Sequence, residues 1–334
     1  MRHRLTIVLP CILLVALIAG HTAAWFAASL YLATGFDTWT AQRRAAGWQV
    51  EGGTPVRGGW PLAATLTVPD LALAAGPEGA PGRVSGHTER MVLSLTALHP
   101  DRLGIDLVGT QTLRIAPGPE QTFSADRLHV EVLLSRAASA PTVGLEVRAL
   151  RAPGLEIGLL TGQVIAAAAP TLTLSAEAID LPPGKPWAFG PHISSLAIDA
   201  TLQGGVPPPG ALIAMAEAWR GTGGAVDVTH LALGWGPLGL TATAHLGLDD
   251  ALQPAGTTDL HVIGYAKALE ALAAQHLISK DAAMAATAVL TLLAQAPADG
   301  GAPEVEVPLT LRKGTLSMGH TPLLRVPELV WPHS

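Results

Sequence analysis

The chain has 334 residues, of which 49% are apolar and only 14% charged, and its mean hydropathy is +0.37. This length allows one large or two ordinary domains, and this apolar balance calls for a membrane segment or a lipid-facing surface. The formal charge is −6 and the 20 basic residues are scattered, which argues against a phosphate-tracking surface and against nucleic acid as a partner.

Taken in chain order, residues 1–4 are a short basic leader carrying Arg2 and Arg4. From Leu5 to Ala33 no residue bears a permanent charge. As a helix this run would rise about 43 Å, against a hydrocarbon thickness of about 30 Å, so 5–33 reads as a transmembrane helix or signal anchor. A cleaved signal peptide normally has an apolar region of about 7–15 residues, roughly half of this one. Thr22-Ala23-Ala24 and Ala27-Ala28-Ser29 are nevertheless small-residue sites of the kind a signal peptidase accepts, so cleavage stays open. The leading arginines place the N-terminus in the cytoplasm, and Trp25, Phe26, Tyr31 and Trp39 suit the far interface. The chain is then expected to be a single-pass inner-membrane protein with its bulk in the periplasm. Cys11, the one cysteine, lies within the apolar run and reads as a small packing hydrophobe.

A juxtamembrane helix is expected over 34–47. Beyond it, two-residue alternation of apolar and polar side chains dominates. Leu62/Ala64/Leu66/Val68, Leu128/Val130/Val132/Leu134, Leu172/Leu174/Ala176 and Leu238/Leu240/Ala242/Ala244/Leu246/Leu248 are examples, separated by turn signals such as Pro182-Pro183-Gly184. Many short strands of this kind imply antiparallel pairing with one wetted and one apolar face. Three helices interrupt them, over about 209–219, 265–276 and 279–295, and Ser279 is a candidate N-cap for the last, with Asp281 in its first turn. The fold class is therefore mainly β with packing helices (α+β): curved antiparallel sheets behind one N-terminal transmembrane helix.

Gly58-Gly59-Trp60-Pro61-Leu62 and Gly234-Trp235-Gly236-Pro237-Leu238 each precede an alternating strand. Proline lacks an N–H and resets the chain there, and tryptophan is placed to cover the sheet end. The recurrence suggests two related β-rich halves, 48–205 and 221–334, joined by a helical connection at 206–220. At Pro69-Asp70 the alternation changes phase, which predicts a bulge or corner that turns the apolar face over.

No motif for chemistry stands up. Gly234-Trp235-Gly236-Pro237-Leu238-Gly239 formally matches G-x-G-x-x-G, but a dinucleotide site needs a helix opening at the last glycine, and here a strand continues. The 12 histidines are dispersed singly. His87-Thr88-Glu89 lacks a third ligand, and His129, His230, His245 and His261 read as solvated positions of alternating strands. Asp249-Asp250 and Glu304/Glu306 sit beside turns. No enzyme activity, catalytic residue, cofactor or metal is expected.

Gly59-Trp60-Pro61-Leu62, Trp235-Gly236-Pro237-Leu238, Leu252-Gln253-Pro254-Ala255-Gly256 and the tail PLTLRKGTLSMGHTPLLRVPELVWP, from Pro308 to Pro332, come in an order that resembles a family of alphaproteobacterial envelope proteins, domain of unknown function 2125. That resemblance implies no reaction and no site residues. The strand-rich pattern behind one helix is also similar in style to AsmA-like envelope proteins, which are linked to lipid movement. The functional expectation is a membrane-anchored protein that binds or passes lipid along an apolar sheet face lined by Leu62, Leu66, Val68, Leu240, Leu246 and Leu248. The alternative is a non-enzymatic scaffold that pairs its strand edges with envelope proteins. A closed core beneath helices would use the same six residues.

Overall fold

The computed structural model describes residues 2–76, 82–134, 140–205, 212–295, 302–319, 321–329 and 331. The chain divides into two compact units, Met1–Ala138 and Ser139–Ser334.

Unit 1 opens with α1, Arg2–Ala45, one unbroken helix of 44 residues, about 66 Å long. It is followed by β1 (Gln49–Glu51), β2 (Val56–Gly58), β3 (Ala63–Ala75), β4 (Val84–Thr96), β5 (Arg102–Ile115), β6 (Gln121–Ser124) and β7 (Arg127–Leu133). All pairings are antiparallel: β1 and β2 share one edge of β3, β3 pairs β4, β4 pairs β5, and β6 and β7 both pair β5. The expected boundary at residue 33 falls inside α1. The second half of the helix is apolar because it packs on the sheet: Leu32, Val50, Ala64, Leu66, Val68, Leu71, Met91, Leu93 and Leu95 form one buried cluster, with Trp25, Ala28, Phe36 and Trp39 against it. Trp25 and Trp39 are thus core residues of unit 1. Fourteen helical positions separate them, about 21 Å, too far for one interfacial belt. The first part of α1 has no such cover, and Ile12, Leu13, Leu14, Val15, Leu17 and Ile18 are all exposed. From Ile12 onward α1 is long and apolar enough to cross a membrane.

Unit 2 is a ten-strand antiparallel meander in which each strand pairs with the next: β8 (Thr142–Ala152), β9 (Leu155–Ile165), β10 (Thr171–Asp180), β11 (His192–Gln203), β12 (Ala225–Trp235), β13 (Leu238–Leu248), β14 (Pro254–Ile263), β15 (Glu304–Arg312), β16 (Thr315–Met318) and β17 (Thr321–Arg325). Among the described residues three helices interrupt it, α2 (Leu212–Gly221), α3 (Tyr265–Ala274) and α4 (Lys280–Leu293), of which α2 and α3 touch β13 and α4 touches β15. The Ser279 hydroxyl accepts from the Ala282 N–H at 3.1 Å, so the expected N-cap of α4 is in place. β11 and β12 pair directly from Ile193/Trp235 to Gln203/Ala225. The segment holding α2 is therefore an excursion from one meander and not a border between halves.

The phase change at Pro69-Asp70 has the opposite outcome to a turned-over face. Ala64, Leu66 and Val68 are buried, and so is Leu71, in the same cluster. Asp70 takes the odd residue by adopting φ 49, which lets β3 skip one position and keep its apolar side inward. The line continues across the sheet, since Asp70 lies opposite Glu89 and a register shift follows at Gly109 (φ 91). Unit 2 repeats the device. Ala149 (φ 49) in β8 and Ala178 (φ 53) in β10 flank Gly158 of β9, where a Cβ would press on the Ala178 methyl at 3.0 Å. An apolar step of three inside a period of two, as in Val147/Leu150 and Ala176/Ile179, is its mark in the sequence.

The two Gly-Trp-Pro turns differ. Gly236-Pro237 is the two-residue tip of the β12–β13 hairpin, and the Trp235 Nε1–H donates to the Gly190 carbonyl at 2.8 Å with Phe189 edge-on at 5.3 Å. β13 runs on from Leu238 as a strand, so the glycine pattern there makes no dinucleotide loop. Trp60, before a cis Pro61, is 55% exposed.

Candidate functional site

The six residues expected to line one groove are divided by the structure. Leu66 and Val68 each keep 1% of their surface beneath α1 and have nothing to offer a ligand. Leu62 lies in the turn before β3 and is 84% exposed. Leu240, Leu246 and Leu248 are half-buried on β13, where Leu240 faces Leu233 and Val262, and Leu246 faces Val226.

Those β13 residues belong to a larger surface. Register places Leu233, Leu240, Val262 and Val305 side by side, and Leu196, Leu233 and Leu240 link that row to β11. A second row joins Val143, Val164, Leu172 and Ala200, and a third joins Leu145, Leu174 and Ile198 across Gly162. Gly162 admits the Leu174 side chain, whose Cδ1 would meet a Cβ there at 3.3 Å. One face of unit 2 is thus apolar from β8 to β15. The helices close it at one side only: Ala242 is 6% and Val305 1% exposed, whereas Val143, Val164 and Leu172 are 37%, 42% and 39% exposed. This open part was hard to single out by sequence because its strands alternate like every other strand. The signal for it was the shortage of helical segments to cover ten strands.

The opposite face of unit 2 is polar. Asp227 on β12 accepts from His245 Nδ1 on β13 and, at 2.9 Å, from Gln203 Nε2 on β11. The His245 hydrogen bond, then the Gln203 one, holds the Asp227 carboxyl below its usual range. His192 and Asp180 pair at 2.8 Å, and in unit 1 His129 and Asp106 pair at 2.7 Å. His129 and His245 thus have carboxylate partners at positions where solvation alone was expected. His87 and Glu89 have different partners, Asp70 at 4.0 Å and Thr110 respectively. Among the described residues no three His, Cys, Asp or Glu side chains gather as metal ligands. Asp249 is spent on its own turn, accepting from the N–H groups of Ala251 and Gln253 at 2.9 Å each.

A second apolar feature lies within unit 1. Where α1 meets the end of β3 and β4, a cleft of about 760 Å³ is lined by His21, Trp25, Tyr31, Leu62, Leu95 and Leu134 among others. Two bonds fix the helix there. His21 Nε2 lies 2.6 Å from the Pro61 carbonyl, and the Trp25 Nε1–H donates to the Ala63 carbonyl at 2.9 Å.

The chain belongs to the bacterial family described as uncharacterized proteins conserved in bacteria, domain of unknown function 2125, whose model matches residues 25–327. The match begins at Trp25, whose indole bonds the Ala63 carbonyl at the start of β3. No curated protein and no solved structure matches the chain.

Proposed function

We propose that this is a membrane-anchored, non-catalytic protein of the cell envelope that binds lipid, or passes it, along the open apolar face of unit 2. The observation that carries the reading is the row Val143, Val164 and Leu172, directly paired neighbours that are 37%, 42% and 39% exposed on a face that is buried at Ala242 and Val305. A contiguous apolar patch on a folded protein marks an interaction site, and an aliphatic sheet face suits acyl chains. The anchor is α1, with Arg2 and Arg4 in the cytoplasm and the two units in the periplasm. Arg43 and Arg44 do not oppose that orientation. Both lie in the last turn of α1, about 27 Å beyond Trp25, where Arg44 Nη2 donates to the Val50 carbonyl at 2.7 Å and Arg43 stacks over Trp48 at 5.8 Å.

The test is mass spectrometry of lipid extracted from the gently purified full chain. The whole of α1 is needed, because a fragment starting at residue 34 would strip Trp25, Ala28 and Leu32 from the unit 1 core. A stoichiometric phospholipid that Leu172→Asp abolishes supports the reading, and a folded chain free of lipid refutes it. A scaffold role is the second reading, favoured by β17, whose five residues are all exposed at the last edge of the meander. Crosslinking from Leu323 to one stoichiometric envelope protein would select it.

A further inference from the structure

We infer that unit 1 sits on the membrane without a spacer, its turn tips carrying Trp60, Leu62 and Leu98 inserted into the lipid interface as a second anchor beside α1. The inference rests on the membrane-anchor part of the proposed function and extends it to residues outside the helix. It follows from a length. The charge-free part of α1 ahead of its first bond to the sheet is Leu5–Gly20, since His21 is already held by the Pro61 carbonyl. Those 16 residues rise about 24 Å, less than the hydrocarbon thickness of about 30 Å, and any tilt widens the deficit. A helix that spans from Leu5 must therefore reach about Trp25 before it leaves the bilayer. At that level the Trp25 indole is bonded to Ala63, so the end of β3 is at the membrane boundary too.

The residues at that end are suited to the place. Leu62 is 84% exposed, Leu98 in the β4–β5 turn 88% and Trp60 55%. Three large apolar side chains that a soluble surface would leave facing water instead meet lipid, and an indole prefers the headgroup level. Insertion is shallow. His99 and Asp101 share the β4–β5 turn, Asp101 lines the cleft, and Arg102 is paired with Glu131 at 3.1 Å, so this end belongs among headgroups and not in hydrocarbon. The cleft lined by Tyr31, Leu62 and Leu95 then opens to the leaflet beside the helix. His21, which lies in the charge-free run from Leu5 to Gly35, has its Nε2 bonded to the Pro61 carbonyl, which lessens the penalty of holding it at the boundary.

The test places an environment-sensitive fluorophore on single cysteines in a Cys11→Ala chain reconstituted into phosphatidylethanolamine and phosphatidylglycerol vesicles. Leu62→Cys and Leu98→Cys report on the tips, and Ile115→Cys, 57% exposed at the far end of β5, is the water reference. All three side chains are more than half exposed. The expected result is blue-shifted emission at 62 and 98, with most of the fluorescence lost when nitroxide-bearing lipid is included, and neither change at 115. Probes at 62 and 98 that behave like the one at 115, in a chain that still resists carbonate extraction, overturn the inference and leave the anchor standing. A chain that carbonate releases overturns both.

Discussion

In unit 1 the apolar face of β3 and β4 lies under α1, and Leu66 and Val68 keep 1% of their surface; in unit 2 the matching face of β8, β9 and β10 leaves Val143, Val164 and Leu172 at 37%, 42% and 39%. The two sheets are otherwise built alike. Both are antiparallel, both alternate strictly, and both absorb an odd residue at a left-handed position, Asp70 in one and Ala149 and Ala178 in the other. What separates them is cover. α1 is long enough to serve both as a membrane-spanning helix and as a lid, whereas α2 and α3 lie against β13 and α4 against β15, with the Trp219 indole of α2 bonded to the Gln203 carbonyl at the end of β11. The lesson is that an apolar strand face does not declare whether it is core or binding surface; the supply of helices decides.

Aspartate placed on each face gives the sharpest test of that difference. Leu66→Asp buries a carboxylate among Leu32, Val68 and Leu93, with no partner, and should cost about 4 kcal/mol or more. Thermal unfolding of the chain in detergent would show a large loss of Tm, or no folded protein. Leu172→Asp sits at a 39% exposed position and should stay within about 1 kcal/mol of the parent while losing lipid. Equal, large losses from both would mean that the unit 2 face is also a closed core, and the comparison would fail.

Much of this was legible before any coordinates. Alternation located the strands, the charge-free run located the helix long and apolar enough to cross a membrane, and Ser279 located the start of α4, because each depends on neighbours in sequence. The six groove residues were legible as apolar and inward, but Leu66 and Leu246 sit in the same local pattern and differ only in what comes to lie on them. That cover arrives from Leu32 and Phe36, some thirty positions from Leu66, and those residues read as membrane because lipid and protein core select the same side chains. The direction of the phase change at Asp70 was hidden for a related reason. A bulge that flips a face and a left-handed residue that preserves it leave the same three-residue step.

The kink itself offers the next test. At Gly109 a Cβ would run into the Glu89 side chain, and the φ of 91 disfavours any L-residue there. Gly109→Ala should therefore destabilise unit 1 by about 1–3 kcal/mol, read as a lowered denaturation midpoint. Gly158→Ala, in the corresponding line of unit 2, has no positive φ to strain and meets only the Ala178 methyl and nearby backbone at 3.0 Å and beyond. It should cost less than Gly109→Ala. The reverse order would show that the two kinks are different structures. Below both lies Ser279→Ala, which removes the hydroxyl that accepts from Ala282 N–H and should cost about 1 kcal/mol, as caps of this kind do.

The smallest expected effect concerns one carboxylate in each unit. The Thr110 side chain and then its backbone hydrogen-bond Glu89 in unit 1, and His245 and then Gln203 hydrogen-bond Asp227 in unit 2, so both acids are held below their usual range. A depressed folded-state pKa means that the unfolded chain binds the proton first. The contribution is therefore complete above the ordinary values, 4.5 for Glu89 and 3.8 for Asp227, and it is lost as pH falls through the lower folded ones. Glu89 is exposed and Asp227 half-buried, so water and salt weaken the effect, and it should appear as a slight acid-side steepening of stability against pH. Denaturation midpoints collected from neutral pH downward should coincide in slope for the parent and Asp227→Asn above that window and diverge within it, with the parent falling faster. Glu89→Gln should reproduce this in unit 1 at a slightly higher pH. If the Asp227→Asn curve stayed parallel to the parent throughout, the His245–Asp227–Gln203 group would be a feature of the polar face with no hold on the sheet beneath it.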